Sequence, residues 1–245
     1  YVLAIDKRLK FRISCLFGHN KILAGDVIRN GTPVVANELM WSLATSAQAA
    51  ILGHITYSTG DPVAANSIAG VVQQISTVVI MGIANAAAVL VGMAIGENNM
   101  EKAEQRAKAF RNISFYAGII ACIFILAVKN AFIGFYNVPE ETKILAGQIM
   151  TVFAFITICC SVNMTLIMGV LRGAGDTKFC MGIEIGCLWC LAIPLALVMA
   201  FVFKAPVSIV FLFMKTDEIT KAGVSLIRMR GNKWLNSLTR DFETE

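Results

Sequence analysis

Charged side chains are scarce in this chain, making up 15% of its 245 residues against 57% hydrophobic ones. The mean hydropathy is +0.69. A soluble domain carries roughly 25% charged residues, so a single apolar core in water is a poor reading and lipid as solvent a good one. Histidine is almost missing. Only His19 and His54 occur, in opposite loops, and no metal cluster is expected from them. There is no Ser/His/Asp set, no H-E-x-x-H and no pair of carboxylates one turn apart in an apolar run, so no enzyme is expected. A phosphate-binding loop is also lacking, which leaves an ion gradient, not ATP, as the energy source. No basic run is interleaved with aromatics, so nucleic acid is not an expected partner. Of the seven cysteines, Cys187 and Cys190 form C-x-x-C. They sit in an apolar run without a second pair, and are read as small hydrophobes.

What is present is a series of long apolar stretches. A helix needs about 20 apolar residues to cross the hydrocarbon core. Six candidates lie between polar breaks, near 31–53, 66–95, 112–136, 144–170, 179–203 and 206–228. The last is interrupted by Lys215, Asp217, Glu218 and Lys221, and its amphipathic second half could lie along the interface. The expected organisation is the end of a preceding helix and an amphipathic linker over 1–30, a six-helix lobe over 31–228 and a tail over 229–245. The chain starts at Tyr1 without Met and reads as a fragment. Sixteen Lys and Arg fall in one set of connecting segments and three (Lys129, Lys143, Lys204) in the alternate set. By the positive-inside rule both ends and the Arg172 loop are expected in the cytoplasm.

Ionisable groups inside such spans usually face a cavity or a partner. Glu38 lies five residues after Pro33, about 7.5 Å along a helix expected to open there. Trp41, Thr45 and Gln48 follow at steps of three, four and three, placing all four on one face. Burial would raise the pKa of such a carboxylate and suit it to exchange a proton or cation. Gln73 and Thr77, one turn apart, could line a polar cavity with Glu38 or bond between helices. Thr157, Ser161 and Thr165 share a face with Asn163 beside it. Glu184, without a polar stripe, reads as an interfacial carboxylate. Asp217 and Glu218 could be neutralised by Lys215 and Lys221 or solvated. Ala84, Ala88, Gly92 and Gly96 recur every four residues, a ridge suited to close packing. Arg172 to Lys178 is the one strongly polar break between two long apolar runs. Gly173 and Gly175 permit a tight turn there, and Arg172 and Asp176 could cap or bridge helix ends, so a conformational latch is expected.

Gly31-x-Pro33 followed by Asn37-Glu38 and Trp41, the run Val63-Ala64-Ala65-Asn66, the loop Arg172-Gly173-x-Gly175-Asp176-Thr177 and the closing Lys233-Trp234 carry a resemblance. Together they resemble the carboxy-terminal half of multidrug and toxic compound extrusion (MATE) transporters. The resemblance implies an all-α membrane protein, one six-helix lobe of a twelve-helix, two-lobe antiporter, with parallel repeats meeting at a central cavity. It implies export of organic cations in exchange for H⁺ or Na⁺ from the plasma membrane, with no other cofactor. The implied partners are the bilayer, the amino-terminal lobe and small organic cations. Glu38 aligns with the family's functional carboxylate of the seventh helix. Asn37, Trp41, Thr45, Gln73, Thr77, Ser161 and Asn163 become candidate substrate contacts, with Trp41 a platform for a cation. Some relatives carry Asp eleven residues before the loop Arg, where this chain has Ser161. The coupling ion therefore stays open. A related flippase for lipid-linked saccharides and a non-transporting scaffold subunit are the alternatives.

Overall fold

The computed structural model describes residues 21–231 and Trp234, with the backbone alone for 21–30 and Pro33. Most of the expected linker and tail, including Cys15, His19 and Lys233, lies outside the described residues. All regular structure among them is helical. Helix α1 spans Lys21–Gly53, α2 Pro62–Gly96 and α3 Met100–Gly134. The next, α4, runs over Glu140–Leu171, its last turns (Thr165–Leu171) π-helical. Helix α5 covers Thr177–Val202, α6 Val207–Met214 and α7 Thr216–Arg230.

Local chemistry explains several boundaries. Asp61 Oδ1 accepts from the backbone N–H of Val63 and Ala64 at 2.9 and 3.1 Å, and Pro62 occupies the first helical position, where a missing N–H costs nothing. Asn99 caps α3 by accepting from Lys102 N at 3.0 Å. Helix α5 has π-helical turns over Cys187–Ala192 and Val198–Val202. They flank Pro194, whose ring disrupts the regular bonding ladder inside a helix. Two expectations need correcting. Helix α1 begins at Lys21, so Pro33 lies within it, because the Lys21–Asn30 stretch continues the same helix. The final span is broken at Lys215.

Among the described residues, four helices are long and apolar enough to cross a membrane: Pro62–Gly96, Met100–Gly134, Glu140–Leu171 and Thr177–Val202. The first and last expected spans do not reach that measure. In α1, Asn37, Glu38, Ser42, Thr45, Ser46 and Gln48 dilute the apolar content. In the last, the break shortens both pieces. Helix α7 packs on α4 and α5 with Asp217, Lys221, Ala222 and Ser225 buried.

Helix α4 is the axis of the bundle, touching α2, α3, α6 and α7. Of its most apolar window, 72% is buried, against 28–33% for the other three apolar helices. Their outward faces carry Val78, Val79, Tyr116 and Ile120, suited to lipid. The small-residue ridge of α2 meets the end of α4. A Cβ on Gly169 would sit 2.7 Å from the Ala84 carbonyl oxygen, and one on Gly173 would sit 2.8 Å from that of Ala88. Only glycine permits that approach.

Candidate functional site

The Arg172 loop leaves α4 where this seam holds it. Gly175, at φ 82°, supplies the left-handed residue that turns the chain into α5. Of the loop's two expected turn glycines, Gly175 makes the turn and Gly173 the close contact with α2. Asp176 makes no capping bond to α5; it accepts from Arg228 Nε and Nη2 at 3.0 and 2.9 Å. The Arg228 guanidinium also lies over the Phe179 ring, 4.6 Å from its centre. These contacts tie the loop and the first turn of α5 to α7. Thr177 is the first residue of α5.

Arg172 points the other way, between two carboxylates. Its Nη2 is 2.6 Å from Glu184 Oε2, and its Nη1 is 3.5 Å from Glu38 Oε1. Asn37 Nδ2 donates to the same Glu184 oxygen at 2.7 Å. Glu184 is therefore one corner of a cluster, with its side chain only 19% exposed, and not the isolated interfacial carboxylate expected. Glu38 keeps 52% of its side chain exposed. Neighbouring residues of α1 point to opposite sides, Asn37 into the bundle and Glu38 to its edge.

The remaining candidates scatter. Trp41 is exposed, Thr45 is half-buried and donates to Ser42 O at 2.8 Å, and Gln48 is buried with Nε2 3.4 Å from Met214 O. The stripe on α1 thus runs from the edge at Glu38 into the bundle at Gln48. Gln73 and Thr77 are half-buried on α2. The Thr77 hydroxyl donates to its own helix at Gln73 O, 3.0 Å away, and no hydrogen bond joins either residue to Glu38 among the described residues. Ser161 is fully buried and donates to Ser114 O on α3 at 2.6 Å. Asn163 faces α7, donating to Glu218 Oε2 at 2.6 Å. Candidates on α1, α2 and α4 therefore do not converge on one cavity within this chain.

Sequence reasoning missed the partnership of Asn37, Arg172 and Glu184, and the depth of the acidic cluster on α7. Lys221 Nζ lies 2.6 Å from Asp217 Oδ2 and 3.9 Å from Glu218 Oε1, with Lys221 and Asp217 side chains 5% and 4% exposed. The i, i+4 spacing of Asp217 and Lys221 was the available signal.

A family model described as MatE matches residues 33–198. Among curated proteins, Protein DETOXIFICATION 49 of Arabidopsis thaliana is 26% identical over 111 residues, 45% of this chain and 22% of that protein. Among solved structures, a MATE protein in complex with MaL6 superposes with a TM-score of 0.75 at 17% identity, covering 87% of this chain and 47% of that one. A MOP-superfamily transporter from Pyrococcus furiosus, for which reversed polarity of the binding pocket suggests a different function, gives 0.76 at 16% identity, covering 89% and 48%. An outward-facing multidrug resistance MATE transporter gives 0.75 at 19%, covering 87% and 47%. At these identities the structural likeness establishes the fold alone. This chain spans about half the length of those structures.

Proposed function

Because the chain belongs to the MatE family, matched over 33–198, we propose that it is the second lobe of an antiporter that exports organic cations in exchange for H⁺ or Na⁺. The observation that carries this reading is the unequal sharing of Arg172. The guanidinium is committed to Glu184, at 2.6 Å, and only loosely to Glu38, at 3.5 Å. A half-exposed ion pair of that length contributes about 1 kcal/mol or less. An arriving cation can displace Arg172 from Glu38 at little cost, while Glu184, itself bonded by Asn37, keeps the guanidinium from following.

In this mechanism the ionised Glu38 attracts a cationic substrate at the lobe's edge, beside the exposed indole of Trp41. Binding of H⁺ or Na⁺ to the carboxylate then discharges the substrate on the other side. The populations of the two states follow the differential affinity for ion and substrate. The Lys and Arg bias supports a cytoplasmic Arg172 loop, with substrate loading from that end.

The test is ethidium efflux from proteoliposomes holding the complete transporter, wild type against Glu38→Gln, with H⁺ and Na⁺ gradients imposed separately. Efflux driven by one gradient and lost in the variant is expected. Efflux retained by the variant, or none in the wild type under either gradient, would overturn the reading.

A further inference from the structure

Away from Glu38, the α4–α7 contact holds a second buried polar cluster, formed by Asn163, Asp217, Glu218 and Lys221. Its contacts form a continuous chain, from Asp217 to Lys221 at 2.6 Å, Lys221 to Glu218 at 3.9 Å, and Glu218 to Asn163 at 2.6 Å. Two carboxylates share one ammonium, so the cluster carries one uncompensated negative charge. Burying such a charge costs several kcal/mol. The cation at the α6–α7 break does not supply the balance. Lys215 directs its ammonium over the Phe211 ring, 5.9 Å from the centre, and makes no ion pair with either carboxylate among the described residues. Arg172 is held by Glu184.

A second observation points to the same deficit. Among the described residues, Asp217 Oδ1 and Asn163 Oδ1 are buried without a hydrogen-bond partner, and their residues are 3% and 5% exposed. Both are acceptors, so the cluster lacks a donor as well as a positive charge. One proton removes the excess charge and adds one donor to the cluster. Glu218 is its natural seat. The side chain is 19% exposed, open enough to exchange with water, and Oε1 stays free of the Asn163 bond to Oε2.

We propose that Asn163, Asp217, Glu218 and Lys221 form a second proton-uptake site of the transporter, with Glu218 as the group that accepts the proton. Uptake forms one O–H bond on Glu218 and breaks one O–H bond of a hydronium ion, which leaves as water. The charged and titratable groups facing the cluster are Cys159 and Cys160 on α4, Glu184 and Cys187 on α5, and Lys215 at the α6–α7 break. The inference deepens the antiport reading and rests on it for the role of the proton in transport.

Its test does not need transport. Proton uptake by the complete transporter in detergent is measured with a pH-indicating dye as pH falls from about 8 to about 5. Glu218→Gln should bind one proton fewer per protein than wild type, in the Glu38→Gln background as well. Lys221→Gln should shift uptake the opposite way, one proton more, because it leaves both carboxylates to be neutralised. Uptake unchanged in Glu218→Gln would overturn the proposal, as would charge compensation that follows Na⁺ concentration and not pH. If wild type fails to expel ethidium while Glu218→Gln still loses its proton, the antiport reading falls and the site stands.

Discussion

At the scale of single residues, Arg172 has one guanidinium and two carboxylates to satisfy. Replacing it with Gln leaves Glu184, largely buried, with Asn37 as its remaining side-chain donor. The expected loss is about 2 kcal/mol, as for other hydrogen bonds to charged groups. A thermal unfolding series on detergent-solubilised protein checks it. The double variant Arg172→Gln, Glu184→Gln should lose less than the sum of the singles, because each removes the other's unpaired charge. Additive losses would show that the two side chains do not act as a pair. The members of this cluster were unequally legible in the sequence. Glu38 and the Arg172 loop stood out because a carboxylate and a charged break are rare in apolar surroundings. Their pairing did not, since 147 positions separate Asn37 from Glu184 and no local periodicity reports a contact of that span.

Among the elements, the seam between α2 and the end of α4 sets what each glycine tolerates. Gly169→Ala places a methyl 2.7 Å from backbone oxygen, where nothing flexible can yield. Overpacking of this kind costs about 1–3 kcal/mol. Gly82→Ala, with nothing within 4 Å of the added carbon, should be neutral or stabilise by up to about 1 kcal/mol through helix propensity. Melting temperatures of the two variants should move in opposite directions, or only the first should fall. The recurrence of small residues in α2 foretold such a seam, and the apolar runs foretold four of the helices to within several residues at most ends. The break at Lys215 was less visible. A charged interruption in an apolar run reads equally well as a kink, a surface helix or a buried pair. Only the packing of Asp217 and Lys221 between α4 and α5 decides among them.

For the molecule as a whole, charge asymmetry between its two ends predicts orientation. In a complete transporter freed of native cysteines, Asn137→Cys, in the turn between α3 and α4, should react with a membrane-impermeant maleimide applied to intact cells. Lys178→Cys should react only after permeabilisation. The reverse pattern would invert the orientation proposed above. One more feature bears on the whole chain. Trp234 lies past α7 and is 1% exposed, packed into the cluster that holds Val170, Leu171, Ala174 and Cys180. Synthesis runs from amino to carboxyl end, so these partners leave the ribosome some sixty residues before the side chain that covers them. Every membrane helix of the lobe is made while this corner stands open. Docking of Trp234 is therefore a late step in biogenesis, and a chain that stops short of it presents an unfinished apolar surface to whatever inspects newly made membrane proteins.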